Sequence, residues 1–222
     1  EKLRETIKSE FDTERSENKP MSSANTQFAS EILHGNRVGV SESADRTAPS
    51  ISFSFDWNPG EDARTDDALK QLETLMSLDQ HGVELIDARR CTLRVNAAGK
   101  ASSGRLDGLI TETFPSTFFG LARGGVEFKT NKAMFNVVQM QLETLGLSLV
   151  SSYGQGVALL GTDLCTQWTT FHFDKPNHIL VTKFLDGQTA LQAFQELLET
   201  CETRFQSTRR FRCPHPLTKN RT

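Results

Sequence analysis

The sequence predicts an α/β fold in which helices flank a mixed β-sheet. Segments typical of strands occur in two groups, one on each side of a long apolar helix. Strands that are joined by short turns pair in antiparallel fashion, whereas a helix between two strands supplies the crossover that a parallel pair needs. The resulting order of helix, three strands, helix, strands and helix is that of an α/β sandwich.

The first part of the chain contains two predicted helices and one predicted strand. Residues 22–33 and residues 65–78 carry apolar side chains at three- and four-residue spacing, each after polar residues that suit a helix N-terminus. Residues 51–55 alternate in the manner of a half-buried strand, which an Asn-Pro-Gly sequence ends. Residues 56–67 are rich in acids and are interpreted as a surface loop.

The middle of the chain presents a succession of short strands before the longest helix. Residues 91–95, 106–111 and 125–129 are strand-like, and loops that contain small residues or proline separate them. In residues 131–150 the apolar positions extend almost around the helix. This pattern is expected of a helix that packs between layers.

The last part of the chain completes the predicted sheet and adds a covering helix. Residues 157–160, 168–173 and 178–184 are typical of strands. Residues 189–205 follow an Asp-Gly turn and form an amphipathic helix.

Composition limits the class of protein and its division into segments. The 222 residues suit a single domain, and no apolar run reaches the roughly 20 residues of a membrane-spanning helix. Because the formal net charge is -3, any nucleic-acid-binding surface must be a local patch. We divide the chain into a charged lead-in (residues 1–20), a globular domain (residues 21–205) and a basic tail (residues 206–222).

Two acids and a lysine occupy neighbouring predicted strands. Side chains alternate across a strand, so Glu127 and Lys129 share one face. If the strand that contains Asp107 pairs with this one, the three side chains converge. Acids buried together are unfavourable unless a cation compensates them, and Mg²⁺ prefers such hard oxygen ligands. The expected chemistry is metal activation of water, with Lys129 stabilising negative charge on a phosphate.

These residues resemble the D…ExK…Q pattern of the PD-(D/E)XK nuclease superfamily. The segments RLDGLI, VEFK and NVVQMQLETLGL carry the resemblance. Residues 91–173 are also similar to the C-terminal nuclease region of Crinkler-type effector proteins and of retrotransposon hot spot proteins. The resemblance implies a restriction-endonuclease-like core, with Asp107 and Glu127 as ligands of Mg²⁺ or Mn²⁺ and Lys129 as the catalytic lysine. It also implies that Gln139, on the following helix, supports the site.

Many members of the superfamily place a further acid on the first core helix. Residues 22–33 resemble that helix, but Ser23 stands where a glutamate is expected. Glu31 and Glu73 remain as alternatives. The resemblance further implies DNA as the substrate and a nuclear location after delivery into a host cell. An NTPase module or a second copy of the chain is the implied protein partner.

Other interpretations of the same residues stay open. A Glu-x-Lys sequence on a strand is most often a solvated face, and a protein with a nuclease fold can bind nucleic acid, or a host protein, without turnover. The basic tail predicts contact with phosphates that does not depend on base sequence, unless it is only a solvated tail. From residue 204 onward, with no acid after residue 202, the basic residues are Arg204, Arg209, Arg210, Arg212, Lys219 and Arg221.

Overall fold

The structure of the protein is a computed structural model, which describes residues 17–47, 51, 53–78, 82–97, 99–112, 120–130 and 135–210. The strands are β1 (Glu17–Pro20), β2 (Gly39–Asp45), β3 (Val83–Asp87), β4 (Leu93–Ala97), β5 (Lys100–Gly104), β6 (Gly108–Glu112), β7 (Ala122–Phe128), β8 (Ala158–Thr162), β9 (Trp168–Lys175) and β10 (His178–Phe184). The α-helices are α1 (Thr26–Gly35), α2 (Glu61–Met76), α3 (Val137–Val150) and α4 (Gly187–Arg210).

In the described residues, seven strands form the main sheet in the order β2-β10-β9-β8-β7-β6-β3. The β7–β8 and β10–β2 pairs are parallel, and the other neighbours are antiparallel. Helix α3 connects β7 to β8 and supplies the predicted crossover. A second sheet has the order β1-β5-β4. The predicted α/β class, a mixed sheet flanked by helices, is confirmed.

Two apolar clusters cover the two faces of the main sheet. On β7, Val126 and Phe128 belong to the cluster that contains residues of α2 and α4, such as Leu72 and Phe194. The opposite cluster contains residues of α1 and α3. Because side chains alternate along a strand, Glu127 points to the α3 face, between its two apolar neighbours.

Helix termini position two polar residues that matter for the site. The Asn136 side chain caps α3 by accepting a hydrogen bond from the N–H of Gln139 at 3.2 Å. Gln139 therefore lies in the first turn of α3. Helix α2 starts with Glu61, which follows Gly60 at the N-cap. An acid in the first turn also suits the positive end of the helix dipole.

The predicted strand at residues 51–55 is wrong. Residues 53–57 are described and adopt no regular structure, and aromatic side chains from this segment pack on the sheet. The ring centroid of Phe53 is 5.5 Å from that of Trp168, and the centroid of Trp57 is 5.6 Å from that of Phe128. The alternation in the sequence thus comes from rings that pack on a sheet and not from strand pairing.

The predicted ends of the domain also need correction. Residues 17–20 were assigned to the charged lead-in, yet they form β1 and pair with β5; the rest of the lead-in lies outside the described residues. Helix α4 continues past residue 205, into the segment assigned to the basic tail, and ends at Arg210. Residues 211–222 lie outside the described part of the chain. No helix in that part combines the length and apolar character needed to cross a bilayer.

Candidate active site

Asp107 immediately precedes β6, where this strand meets β7. Its N–H donates to the carbonyl of Val126 at 3.1 Å, which extends the β6–β7 ladder by one residue. Its Oδ2 accepts a hydrogen bond from the N–H of Phe128 at 2.7 Å. The carboxylate is thereby held against the segment of β7 that contains Glu127.

Close packing beside Asp107 depends on a glycine. A Cβ added to Gly125 would lie 2.6 Å from Cδ1 of Leu106, well inside van der Waals contact. The bare backbone of β7 at this position therefore lets Leu106 pack directly on the strand. This contact brings the residue after Leu106, Asp107, to the edge of the site.

Glu127 and Lys129 form a buried ion pair. The Nζ of Lys129 donates to Oε1 of Glu127 at 2.6 Å, and the two side chains are 12% and 4% exposed. The backbone N–H of Lys129 donates to the carbonyl of Thr162, so that the lysine extends β7 beyond its last paired residue. The structure thus brings the predicted trio of Asp107, Glu127 and Lys129 together.

Gln139 joins the trio from α3. Its Nε2 donates to Oε1 of Glu127 at 2.7 Å and to Oε1 of Glu143 at 2.8 Å. Both partners are buried, and Glu143 has no exposed surface. Residues 139 and 143 lie one helical turn apart on the face of α3 that covers β7. Gln139 therefore contacts Glu127 directly, and its role in supporting the site stays a prediction.

A further acid, Glu61 at the start of α2, approaches the trio. Its Oε1 lies 3.8 Å from Nζ of Lys129. Of the two acids expected from the sequence, Glu31 pairs with Lys100 at 2.7 Å, and Glu73 is exposed. It is the first residue of α2 that approaches Lys129, and the choice of Glu31 or Glu73 stays a prediction.

The segment before α2 explains how Glu61 reaches the site. The Nε1 of Trp57 donates to the carbonyl of Asp163 at 2.8 Å, while its ring packs on Phe128 of β7. Gly60 then takes a φ of 153°, a conformation that favours glycine, and starts the helix. Because the acidic stretch at residues 56–67 is typical of a surface loop, the sequence alone does not predict Glu61 as a site residue. Glycine followed by two acids, as at a helix N-terminus, is the signal that could have found it.

We call Glu61, Asp107, Glu127, Glu143 and Lys129 the acidic centre. It sets four carboxyl groups against one ammonium group. Oε2 of each of the three glutamates is buried and has no hydrogen-bond partner among the described residues. An excess of buried carboxylate is unfavourable unless protons or a cation neutralise it.

Burial shifts the pKa values of the acids upward. Burial raises the pKa of Asp107 to about 6, although the hydrogen bond from Phe128 opposes the shift. Burial, followed by the negative charge of Asp107, raises the pKa of Glu127 to about 8. Burial and the charge of Glu127 hold the pKa of Glu143 well above its ordinary value. The metal-free centre therefore retains protons near neutral pH.

The raised pKa of Lys129 favours its charged form, whereas the raised pKa values of the acids favour their neutral forms. Burial by itself lowers the pKa of its ammonium group, but the charge of Glu127 and the hydrogen bond to it outweigh burial. The pKa of Lys129 consequently lies above its ordinary value. The lysine remains a cation at neutral pH and can face a phosphate as such.

The donor set of the acidic centre suits a hard divalent cation. Carboxylate oxygens are ligands that Mg²⁺ prefers, and this ion commonly binds through one or two carboxylates, with water and phosphate oxygens completing its shell. Asp107 and the unpartnered Oε2 of Glu127 match that requirement. Among the described residues no cage of three or more His, Cys, Asp or Glu residues is present.

No family model, curated protein or solved structure matches this chain. The resemblance to the PD-(D/E)XK superfamily therefore rests on motifs and geometry alone. The side chains of residues 201–222, which include every basic residue of the predicted tail, lie outside the described part of the structure.

Proposed function

We propose that the protein is a divalent-metal-dependent nuclease of the PD-(D/E)XK type that hydrolyses phosphodiester bonds in DNA. The observation that carries the proposal is the meeting of Asp107, Glu127 and Lys129 where β6 joins β7. Two of these groups offer oxygen to a cation, and the third offers positive charge to a phosphate. A solvated Glu-x-Lys face would leave the same side chains exposed, whereas Glu127 is 3% exposed.

The order of elements around the site supports the same proposal. Helix α2 is followed by β3, β6 and β7, which are antiparallel neighbours, and α3 then crosses over to β8, which is parallel to β7. This order is compatible with the restriction-endonuclease-like core that the resemblance implies, and it supports the proposal. The small sheet of β1, β5 and β4 lies outside this set of elements, as do strands β2, β9 and β10 of the main sheet.

Each residue has a separate task in the proposed reaction. Asp107 and Glu127 would hold Mg²⁺ or Mn²⁺, which supplies charge neutralisation at the phosphate and acidifies water. The N–H of Phe128 orients Asp107, and Lys129 occupies Oε1 of Glu127. The ammonium of Lys129 would face the negative charge that develops on the phosphate, and such preorganised charge stabilises a transition state.

Cleavage of supercoiled plasmid in Mg²⁺, with and without EDTA, tests the proposal. We expect Asp107→Asn, Glu127→Gln and Lys129→Met to lower the cleavage rate by about a hundredfold to a thousandfold. Lys183→Met is the matched control, because Lys183 also pairs with a glutamate, Glu42, at 2.8 Å, but on the exposed edge of the sheet. Cleavage that EDTA leaves unchanged, or that survives in the site variants, would refute the proposal.

The same resemblance suggests the setting in which the enzyme acts. We propose a Crinkler-type effector that is delivered into a host cell and acts in its nucleus, with an NTPase module or a second copy of the chain as its partner. Nuclear accumulation of a fluorescent fusion in host cells tests the location. Salt-sensitive DNA binding without cleavage would instead favour the alternative of a nuclease fold that binds without turnover.

A further inference from the structure

Glu143 is a completely buried acid to which the proposed reaction assigns no task. It lies on α3, one turn after Gln139, with no exposed surface. The hydrogen bond that the structure gives it comes from Nε2 of Gln139 at 2.8 Å. A buried carboxyl group placed against an amide, and not against a basic side chain, is an uncommon choice for stability alone.

The amide nitrogen of Gln139 links two carboxyl groups. An amide NH₂ has two N–H groups that diverge in one plane, and here one points to Oε1 of Glu127 and the other to Oε1 of Glu143. With both donors engaged, the amide has one orientation. Rotation by half a turn would face its carbonyl oxygen toward two carboxyl groups and lose both hydrogen bonds. Glu143 thus determines which atom Gln139 presents to Glu127.

This orientation affects the two oxygens of Glu127 differently. Oε1 accepts from Gln139 at 2.7 Å and from Lys129 at 2.6 Å, whereas Oε2 has no partner among the described residues. We propose that Glu143 is a positioning residue, which holds the Gln139 amide so that Oε1 of Glu127 is occupied and Oε2 is offered to a divalent cation. This positioning role rests on the proposed function and adds Glu143 to the residues that serve it.

A positioning role makes a specific demand on the side chain. The position needs a hydrogen-bond acceptor of the right length, and it does not need a negative charge. Glutamine keeps the acceptor, and leucine removes it at similar volume. A direct metal ligand would require the carboxylate, and glutamine would then fail as leucine does.

Calorimetric titration with Mn²⁺ separates these possibilities. Residues that orient a metal ligand commonly change metal affinity by about tenfold to a hundredfold, so we expect that loss for Glu143→Leu and a smaller one for Glu143→Gln. Gln139→Met should match Glu143→Leu, and the double variant should lose no more than the larger single loss, because the two act through one contact. Thr144→Val is the control, since Thr144 is equally buried on α3 and bonds only within the helix.

The side-chain amide of Gln139 gives a second readout that needs no metal. The protons of this amide are observed in a ¹⁵N-edited NMR spectrum and are assigned by their loss in Gln139→Met. They should exchange slowly with solvent in the wild-type chain and in Glu143→Gln, and rapidly in Glu143→Leu. A protected amide and unchanged Mn²⁺ affinity in Glu143→Leu would overturn the inference, as would equal losses in the glutamine and leucine variants. Absence of Mn²⁺ binding by the wild-type chain would count against the proposed function, and the amide signal would still decide whether Glu143 holds Gln139. If Glu143→Leu does not fold, Gln139→Met tests the same link from the other side.

Discussion

Without divalent cations, the stability of the protein should fall as the pH rises from about 5 to 8. The cause is Glu127, whose pKa rises from 4.5 in an unfolded chain to about 8 in the fold. Between these values the folded state keeps a proton that the unfolded state has lost. Stability is fully present below pH 4.5 and is lost as the pH approaches 8, because the unfolded chain then binds fewer protons than the folded one.

The size of this effect follows from proton linkage. One retained proton lowers the free energy of unfolding by about 1.4 kcal/mol per pH unit. Over the window set by Glu127 the loss amounts to about 5 kcal/mol. That figure is comparable to the whole stability of many domains, which is about 5–15 kcal/mol. The metal-free protein should therefore be measurably less stable at pH 8 than at pH 5.

Urea denaturation in EDTA at several pH values, followed by tryptophan fluorescence, measures this slope. Glu127→Gln should reduce the slope by about 1.4 kcal/mol per pH unit, because the amide cannot release a proton. Glu196→Gln is the control, since it removes the same formal charge from an accessible position on α4. A wild-type stability that is flat or rises between pH 5 and 8, or an identical slope in Glu127→Gln, would refute the reasoning.

Three further outcomes are expected. Mg²⁺ at about 100 times its Kd should raise the free energy of unfolding by about 2.7 kcal/mol, as measured by urea denaturation, and no increase would argue against a native metal site. Glu61→Gln should slow plasmid cleavage less than the substitution of Lys129, because its carboxylate is 3.8 Å from that ammonium and makes no hydrogen bond to it; an equal loss would assign Glu61 a larger role. Replacing Arg209, Arg210 and Arg212 with glutamine should make the salt dependence of DNA binding shallower by about 0.9 per lost phosphate contact, and an unchanged slope would exclude the tail from binding.

The sequence predicted best those elements whose side-chain pattern comes from burial. The strand at residues 178–184 was predicted with the bounds that the structure shows, because it contains a short run of buried and partly buried apolar residues, Ile179 to Val181, and ends on the buried Phe184. Strand β2 was missed, since GVSESAD lies mostly exposed at the edge of the sheet and has no apolar alternation to detect. Burial creates the pattern, and strands without burial do not display it.

Within the site, local sequence indicated only part of what the fold brings together. Glu127 and Lys129 share a face because they are two residues apart on one strand. The prediction had to assume that the strand of Asp107 pairs with that strand, and the β6–β7 register shows this pairing. Glu61 is distant in sequence, and it reaches Lys129 only because Trp57 anchors the preceding segment. Such a contact depends on tertiary packing, which no short-range pattern records.

The buried acids of the chain differ in how they are satisfied, and that difference separates structure from chemistry. Oδ1 of Asp163 accepts from three backbone N–H groups of the following turn, and Oδ2 of Asp186 accepts from the N–H and hydroxyl of Thr189 at the start of α4. These carboxylates hold loops and a helix terminus. Glu127 and Glu143 lie just as deep, yet each leaves Oε2 without a partner among the described residues. The chain can satisfy a buried carboxylate with its own backbone, and it does so elsewhere. The metal ion that the proposed function requires would give the unpartnered oxygens beside Lys129 the partner that they lack.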